Sequence, residues 1–540
     1  MTAVPILEIK NLSVSFRNSS VSGGKAREIR ATKDVSLKLN KGEILALVGQ
    51  SGSGKSVTAL SILKLLESPP AHYLKGQVLF ENRDLLKESE DSLRSVRGNK
   101  ISMIFQEPMT ALNPLHSIGR QINEAITLHN ARPNKEIKSR TQELLEMVGL
   151  SMLKNRLHAF PHELSGGQRQ RVMIAMALAN SPKILIADEP TTALDVTVQA
   201  KILLLLKKLQ KKLGMAILLI THDLTIVRNI ADSVAVMKDG KIAENGLVSK
   251  IFSAPKHSYT KHLLASFPSG DPVPVSNKAP VIAAVKNLNV SFPVKKGFFG
   301  QSKEVITAVK NANFDLKSGH SLGIVGESGS GKTTLALAFL RLIKSTGDIF
   351  FANQNIQSWK NANLRPLRKK IQMVFQDPFS SLNPRMTVED IIAEGLRAHS
   401  VGANKKERRK IVEQVLKDVG LEPITADRYP HEFSGGQRQR ISIARALALS
   451  PNMIIFDEPT SALDLSTQSE ILHLLKSIQK KCSISYIFIS HDLRVIKTIS
   501  HTILVMKDGE IVESGNCLEL LDKPRSTYTK ALISAAFDVK

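Results

Sequence analysis

EILALVGQSGSGKS (residues 43–56) and SLGIVGESGSGKT (residues 321–333) decide how this chain is read. Gly49, Gln50, Ser51, Gly52, Ser53, Gly54, Lys55 and Ser56 fit the phosphate-binding pattern G-x-x-x-x-G-K-[ST], and so do Gly326, Glu327, Ser328, Gly329, Ser330, Gly331, Lys332 and Thr333. In that pattern glycine-rich backbone amides wrap the phosphates, the lysine neutralises the outer ones and the hydroxyl holds magnesium. A lone match is weak evidence. Here an apolar strand runs into each match and a helix-forming stretch, VTALSILKLL or TLALAFLRLI, runs out.

The two matches belong to a repeat. Gln106 and Gln376 are 270 residues apart, while Ser165 and Ser434, Asp188 and Asp457, His222 and His491, and Tyr259 and Tyr528 are each separated by 269. Between the P-loop and the glutamine, ESPPAHYLKG in the first half becomes KSTG in the second. The chain is a tandem duplication with a changed loop length. Residues 6–268 form the first unit and 281–533 the second, each large enough for its own core. Residues 269–280, with prolines at 272, 274 and 280, read as an extended, semi-rigid spacer.

Composition narrows the function class. The 540 residues are 42% hydrophobic, and no apolar run of about 18 exists. The N-terminal text lacks a signal peptide's layout, so the expected location is the cytosol, or the face of a membrane supplied by other subunits. Cys482 and Cys517 form no C-x-x-C pair and read as structural thiols. A net charge of +25 invites a nucleic-acid or anionic-membrane reading. The lysines are scattered rather than gathered into an arm, which favours a solvated basic surface and no nucleic acid.

The runs KILIADE and MIIFDE, then MAILLITHD and SYIFISHD, are short, β-branched and bounded by turn residues, as buried parallel strands are. Strands alternating with helical segments give an α/β class, with ligands at the strand ends. Asp188 and Asp457 end two of these runs, where a carboxylate can bind magnesium through water. Glu189 and Glu458 follow, placed to polarise an attacking water. A lone Asp-Glu pair would read as a solvated strand end; two, each after a P-loop, favour catalysis. His222 and His491 each lie 33 residues beyond the glutamate, a spacing that favours contact with the γ-phosphate over an ordinary loop histidine. LSGGQRQR and FSGGQRQR put Ser165, Gly166, Gly167, Gln168 and Ser434, Gly435, Gly436, Gln437 at a helix start. A serine and two glycines there make a receptor for a terminal phosphate, with a simple helix cap as the blander reading.

With these residues in place, the chain resembles two fused nucleotide-binding domains of the ATP-binding cassette family over nearly its whole length. The resemblance implies two P-loop NTPase domains, each with a helical subdomain. It assigns Gln106 and Gln376 to Q-loops beside the metal and the water, and 193–195 and 462–464 to D-loops. Phe16 and Phe292, which end the strand-like stretches LEIKNLSVSF and AAVKNLNVSF, match the aromatic that stacks on adenine; a core phenylalanine is the competing reading. It further implies head-to-tail pairing within the chain. Lys55, Gln106, Glu189 and His222 would work with Ser434, Gly435 and Gly436, and Lys332, Gln376, Glu458 and His491 with Ser165, Gly166 and Gly167. Both sets are intact, so two ATP- and magnesium-dependent hydrolytic sites are expected.

FQEPMTALNPLHSI and FQDPFSSLNPRMTV, with HSYTKHLLASFPSGDP and STYTKALISAAF, resemble the oligopeptide and dipeptide importer ATPases. The fused form and the stretches SGKSVTALSIL and VRGNKISMIFQEPM are similar to the Yej-type peptide and microcin C importers. That likeness implies two permease subunits, a secreted binding protein, and residence on the cytoplasmic face of the inner membrane. Neither tail has the cysteines of the iron–sulfur centre found in some relatives, so none is expected. The competing class is a tandem-cassette translation factor acting on ribosomes. Such proteins carry a long charged linker, whereas the spacer here is short and proline-rich with one lysine, Lys278.

Overall fold

The apolar run ahead of each P-loop becomes a five-residue strand, Ile44–Val48 or Ser321–Val325, with every residue buried. Such strands have neighbours on both sides and helices on both faces, which is why they carry no polar alternation. In the computed structural model the described residues are 4–18, 27–106, 111–129, 133–191, 194–266, 268–276, 278–296, 302–461 and 463–537. They form two compact units, the first mainly of residues up to Ser266 and the second mainly of residues beyond it.

In the first unit a six-stranded sheet runs Lys241–Leu247, Ser233–Lys238, Ile44–Val48, Ala216–Thr221, Ile184–Asp188, Ile101–Ile104. All pairings are parallel except that of the edge strand Lys241–Leu247. The second unit repeats this order from Glu510–Asn516 to Ile371–Val374. The register pairs Val48 with Thr221 and Asp188 with Ile220. The P-loop, the Asp-Glu pair and the histidine therefore leave the sheet at one carboxyl edge, where open α/β sheets bind ligands.

A four-stranded antiparallel sheet accompanies each large one, ordered Arg27–Leu39, Leu7–Asn18, Ala71–Phe80, Arg83–Asp84 in the first unit. The loop-length change falls here: the ten-residue strand Ala71–Phe80 corresponds to the six-residue Thr346–Phe351. Phe16 and Phe292 lie inside their strands rather than at the ends. Pairing with long hairpin partners, Phe16 to Ile29 and Phe292 to Ile306, carries the strands on to Asn18 and Lys296.

Helices Ile118–Thr127, Asn134–Met147 and Gly166–Ala177 form the helical subdomain of the first unit, and Val388–Ala398, Lys405–Asp418 and Gly435–Leu447 that of the second. In the first of these, Ile118, Ile122 and Ile126 recur every fourth residue and are fully buried, while Ser117 caps the start by accepting from the Arg120 amide. Truncating Ile122 to alanine would cost about 2–5 kcal/mol.

The proline-rich segment lies against the second unit rather than standing free. His501 Nε2 donates to the Val273 carbonyl at 2.8 Å while its Nδ1 accepts from the Ser321 amide at 3.0 Å, which fixes the tautomer. Burial holds this imidazole below its ordinary pKa. His320 Nε2 donates to the Ser276 carbonyl at 3.2 Å. No helix among the described residues is long and apolar enough to cross a membrane.

Candidate functional sites

Each P-loop turns on a glycine in the left-handed region, Gly54 at φ 101° and Gly331 at φ 99°, directly before the helices Lys55–Ile62 and Lys332–Phe339. A side chain there would be strained, and its Cβ would also stand 2.5 Å from the Ala31 carbonyl oxygen or 2.4 Å from that of Ala308. The loop closes over its own lysine. Lys55 Nζ donates to the carbonyls of Gly49 and Gln50 at 2.8 and 2.9 Å, and Lys332 Nζ to those of Gly326 and Glu327 at 2.9 and 2.7 Å. Both ammonium groups are buried, and burial lowers the pKa of Lys332.

Ser56 and Thr333 open the same helices and donate to Asp188 Oδ1 and Asp457 Oδ1 at 3.3 and 3.1 Å. Burial pushes both aspartates above the ordinary carboxylate range despite that donated bond, and the adjacent glutamate adds to the rise. A hydroxyl beside a buried carboxylate whose charge is poorly compensated is a hard-oxygen donor set that fits magnesium.

Glu189 and Glu458 follow the strands in an unusual conformation. Their φ values are 45° and 46°, left-handed for a non-glycine residue, while their amides still pair with the carbonyls of Ile220 and Ile489. Such a conformation costs of order 1–3 kcal/mol and persists where the surroundings impose it. It turns each carboxylate toward two predicted partners. Gln106 Nε2 donates to Glu189 at 3.2 Å and Gln376 Nε2 to Glu458 at 3.1 Å. His222 Nδ1 lies 3.3 Å from Glu189, and His491 Nδ1 3.0 Å from Glu458. The hydrogen bond to Glu189 raises the pKa of His222; for His491 burial lowers it most, but the Glu458 bond together with the charges of Glu458 and Asp492 turns the balance to a rise. Glu458 in turn is pushed up by burial but held below its ordinary value by His491.

The structure thus assembles glutamine, glutamate and histidine in each unit, with the glutamine amide on the glutamate rather than on the hydroxyl–aspartate pair. Ser165 and Ser434 are helix caps of the capping-box kind: Ser165 Oγ accepts from the Gln168 amide at 3.3 Å and Gln168 Oε1 from the Ser165 amide at 2.9 Å, with Ser434 and Gln437 alike. Both serines stay exposed. Gly167 and Gly436 are demanded by packing, since a Cβ would come within 2.6 Å of Val198 Cγ1 or 2.3 Å of Thr467 Cγ2. The two adenine candidates part company, because Phe16 is half-buried against the first unit's core while Phe292 is 41% exposed. Residues 107–110 of the first Q-loop flank, Ala193 and Ala462 of the D-loops, and Phe267 of the first tail lie outside the described residues.

One partnership escaped the sequence reading. Tyr259 and Tyr528, noted there only as a repeat pair, reach back to the P-loops, accepting through their hydroxyls from the Gln50 amide at 3.2 Å and the Glu327 amide at 3.0 Å. The signals available were their equal offset and the YTK shared by the two tail stretches.

Comparison with known proteins matches the same parts. Residues 32–192 and 309–461 fit the family described as ABC transporter, and residues 243–283 and 512–540 fit the oligopeptide/dipeptide transporter, C-terminal region. The chain is 53% identical over 536 residues to the peptidoglycan transport ATP-binding protein YejF of Agrobacterium fabrum, covering 99% of this chain and 97% of that one. It is 51% identical over 529 residues to the ABC transporter ATP-binding protein YejF of Escherichia coli, with 98% and 99% covered. It is 44% identical over 564 residues to the glutathione import ATP-binding protein GsiA of Salmonella paratyphi A, with 98% and 89% covered. The chain therefore belongs to the ABC transporter family, as an ATPase with two cassettes in one polypeptide, each followed by the oligopeptide/dipeptide-type C-terminal region.

Proposed function

We propose that this ATPase energises the import of peptides or peptide-like compounds from the cytoplasmic face of the inner membrane, working with two permease subunits and a secreted binding protein. The observation that carries the reading is the oligopeptide/dipeptide C-terminal region after both cassettes. The relatives' names, peptidoglycan transport and glutathione import, support the cargo class, and neither points to the ribosome.

In this reading Lys55 and Lys332 leave the loop carbonyls to meet the ATP phosphates. Ser56 with Asp188, and Thr333 with Asp457, would hold magnesium together with Gln106 and Gln376; when bound, it neutralises charge on the phosphate oxygens. Glu189 and Glu458 polarise the attacking water, with His222 and His491 orienting the γ-phosphate. Phe16 and Phe292 stack on adenine. Each signature, Ser165 to Gln168 or Ser434 to Gln437, completes the site built on the other cassette's P-loop, in the head-to-tail manner of the family.

Deleting the gene in a strain without another peptide importer is expected to abolish uptake of labelled short peptides. Wild type restores it and the Glu189→Gln, Glu458→Gln double variant does not. Uptake unaffected by the deletion would remove the cargo assignment and leave the ATPase standing.

A further inference from the structure

The hydroxyl of Tyr259 holds the backbone amide of Gln50, and the carbonyl of that same residue holds Lys55 Nζ. In the second cassette Tyr528 holds the amide of Glu327, whose carbonyl holds Lys332 Nζ. Tail tyrosine, second P-loop residue and P-loop lysine thus form a short chain of bonds, built twice from residues about 200 positions apart.

Each tyrosine is itself held. The Glu244 carboxylate accepts from the amides of Lys256 and His257 at 2.9 and 3.0 Å, and His257 Nδ1 accepts from the Tyr259 amide at 3.1 Å, starting the tail helix Ser258–Ala265. Glu513 does the same for Arg525 and Ser526 at 2.8 and 3.0 Å, and Ser526 Oγ accepts from the Tyr528 amide at 3.2 Å. Lys238 Nζ stands 5.0 Å from the Tyr259 ring centre and Lys507 Nζ 5.2 Å from that of Tyr528, within cation–π range. Burial pushes the Tyr528 phenol up to about 12, so its proton stays on at physiological pH. The helix caps differ in chemistry, histidine in one tail and serine in the other, while the tyrosine and its target are the same.

We infer that Tyr259 and Tyr528 are positioning residues for nucleotide binding: the oligopeptide-type tail braces the P-loop of its own cassette and sets where the lysine-holding carbonyl stands. The inference rests on the reading that these P-loops take ATP phosphates. Without the hydroxyl, the amide of the second loop residue loses this partner and the phosphate cradle loses preorganisation, which weakens binding more than turnover at saturation.

The test uses the full chain assembled with its permeases, comparing wild type with Tyr259→Phe, Tyr528→Phe and the double variant, which keep the ring. A second pair, Glu244→Gln and Glu513→Gln, loosens the tail helix start without touching the tyrosine. KM for ATP and displacement of a fluorescent ATP analogue are expected to rise about three- to tenfold in the double phenylalanine variant, with kcat changed less than about twofold. Adding Glu513→Gln to Tyr528→Phe is expected to raise KM no further, because both cut one chain of contacts. Unchanged KM in the phenylalanine variants overturns the inference, whether or not their melting temperature falls, and so does a loss confined to kcat. A wild-type chain that fails to hydrolyse ATP would instead sink the proposed function.

Discussion

The two cassettes keep the same reacting geometry and differ in what surrounds it. Hydroxyl to aspartate is 3.3 Å in one and 3.1 Å in the other, and glutamine to glutamate 3.2 and 3.1 Å. Beside the Q-loop the likeness ends. The first cassette has a groove there, lined by Met103, Phe105, Met173 and Met176 together with Arg97 and His129. In the second, Arg445 occupies the place of Met176 and donates to the Ser381 carbonyl at 2.7 Å, and Ser442 stands for Met173. Around the P-loops the substitutions are few, Gln50 to Glu327 and Ser56 to Thr333, and the second keeps the hydroxyl. The flanking surfaces differ in both size and charge of their side chains.

That equality can be broken by experiment. The largest effect is expected from Glu189→Gln and Glu458→Gln. The double variant should lose on the order of 10²-fold or more in ATP turnover, and each single variant should lose turnover too. A single replacement that leaves the rate of the assembled complex untouched would show that its site does not hydrolyse, and the cassettes would be equal in form only.

Next come Lys55→Ala and Lys332→Ala, each removing a buried cation from a phosphate cradle. Loss of a charge-assisted contact worth about 1.5–3 kcal/mol corresponds to roughly 10- to 100-fold weaker nucleotide binding at that site, read by equilibrium displacement. Unaltered affinity in either variant would mark that P-loop as not taking ATP.

The smallest effect concerns pH and separates the cassettes most finely. Both histidines have raised folded-state pKa values, so the stability they add is fully present below the ordinary histidine value near 6.5 and is lost as pH rises through the raised value. Glu458 has a lowered value, so its share is present above the ordinary glutamate value and is lost as pH falls through the lowered one. The His491–Glu458 pair is therefore strongest between those limits. At 3.0 Å, with His491 31% exposed, it should outweigh the His222–Glu189 pair at 3.3 Å, with His222 39% exposed. His491→Gln is expected to lower the melting temperature at pH 6 more than His222→Gln, each by about 2 °C or less, with the gap closing at pH 9. Equal losses at both pH values would show that the ionic contribution is negligible in either cassette.

Much of this was legible in the chain itself. The P-loops, the buried strands, the Asp-Glu ends, the histidines and the duplication are local patterns, fixed by runs of a few residues and by equal offsets, and they point to the glutamine, glutamate and histidine that each unit brings together. What the sequence left open was every relation between distant residues. It offered an extended, semi-rigid spacer without saying that His320 and His501 would hydrogen-bond its backbone, and it ended the strands at Phe16 and Phe292 where hairpin pairing carries them further. It could not say that Glu189 and Glu458 sit left-handed, that Gly167 is small because Val198 crosses it, or that a tail tyrosine holds a P-loop amide. Composition and periodicity determine which segments become strands and helices, because burial and backbone hydrogen bonding act locally along the chain. Which side chain then meets which backbone group, across more than a hundred residues, depends on how those elements pack, and only the tertiary structure decided it.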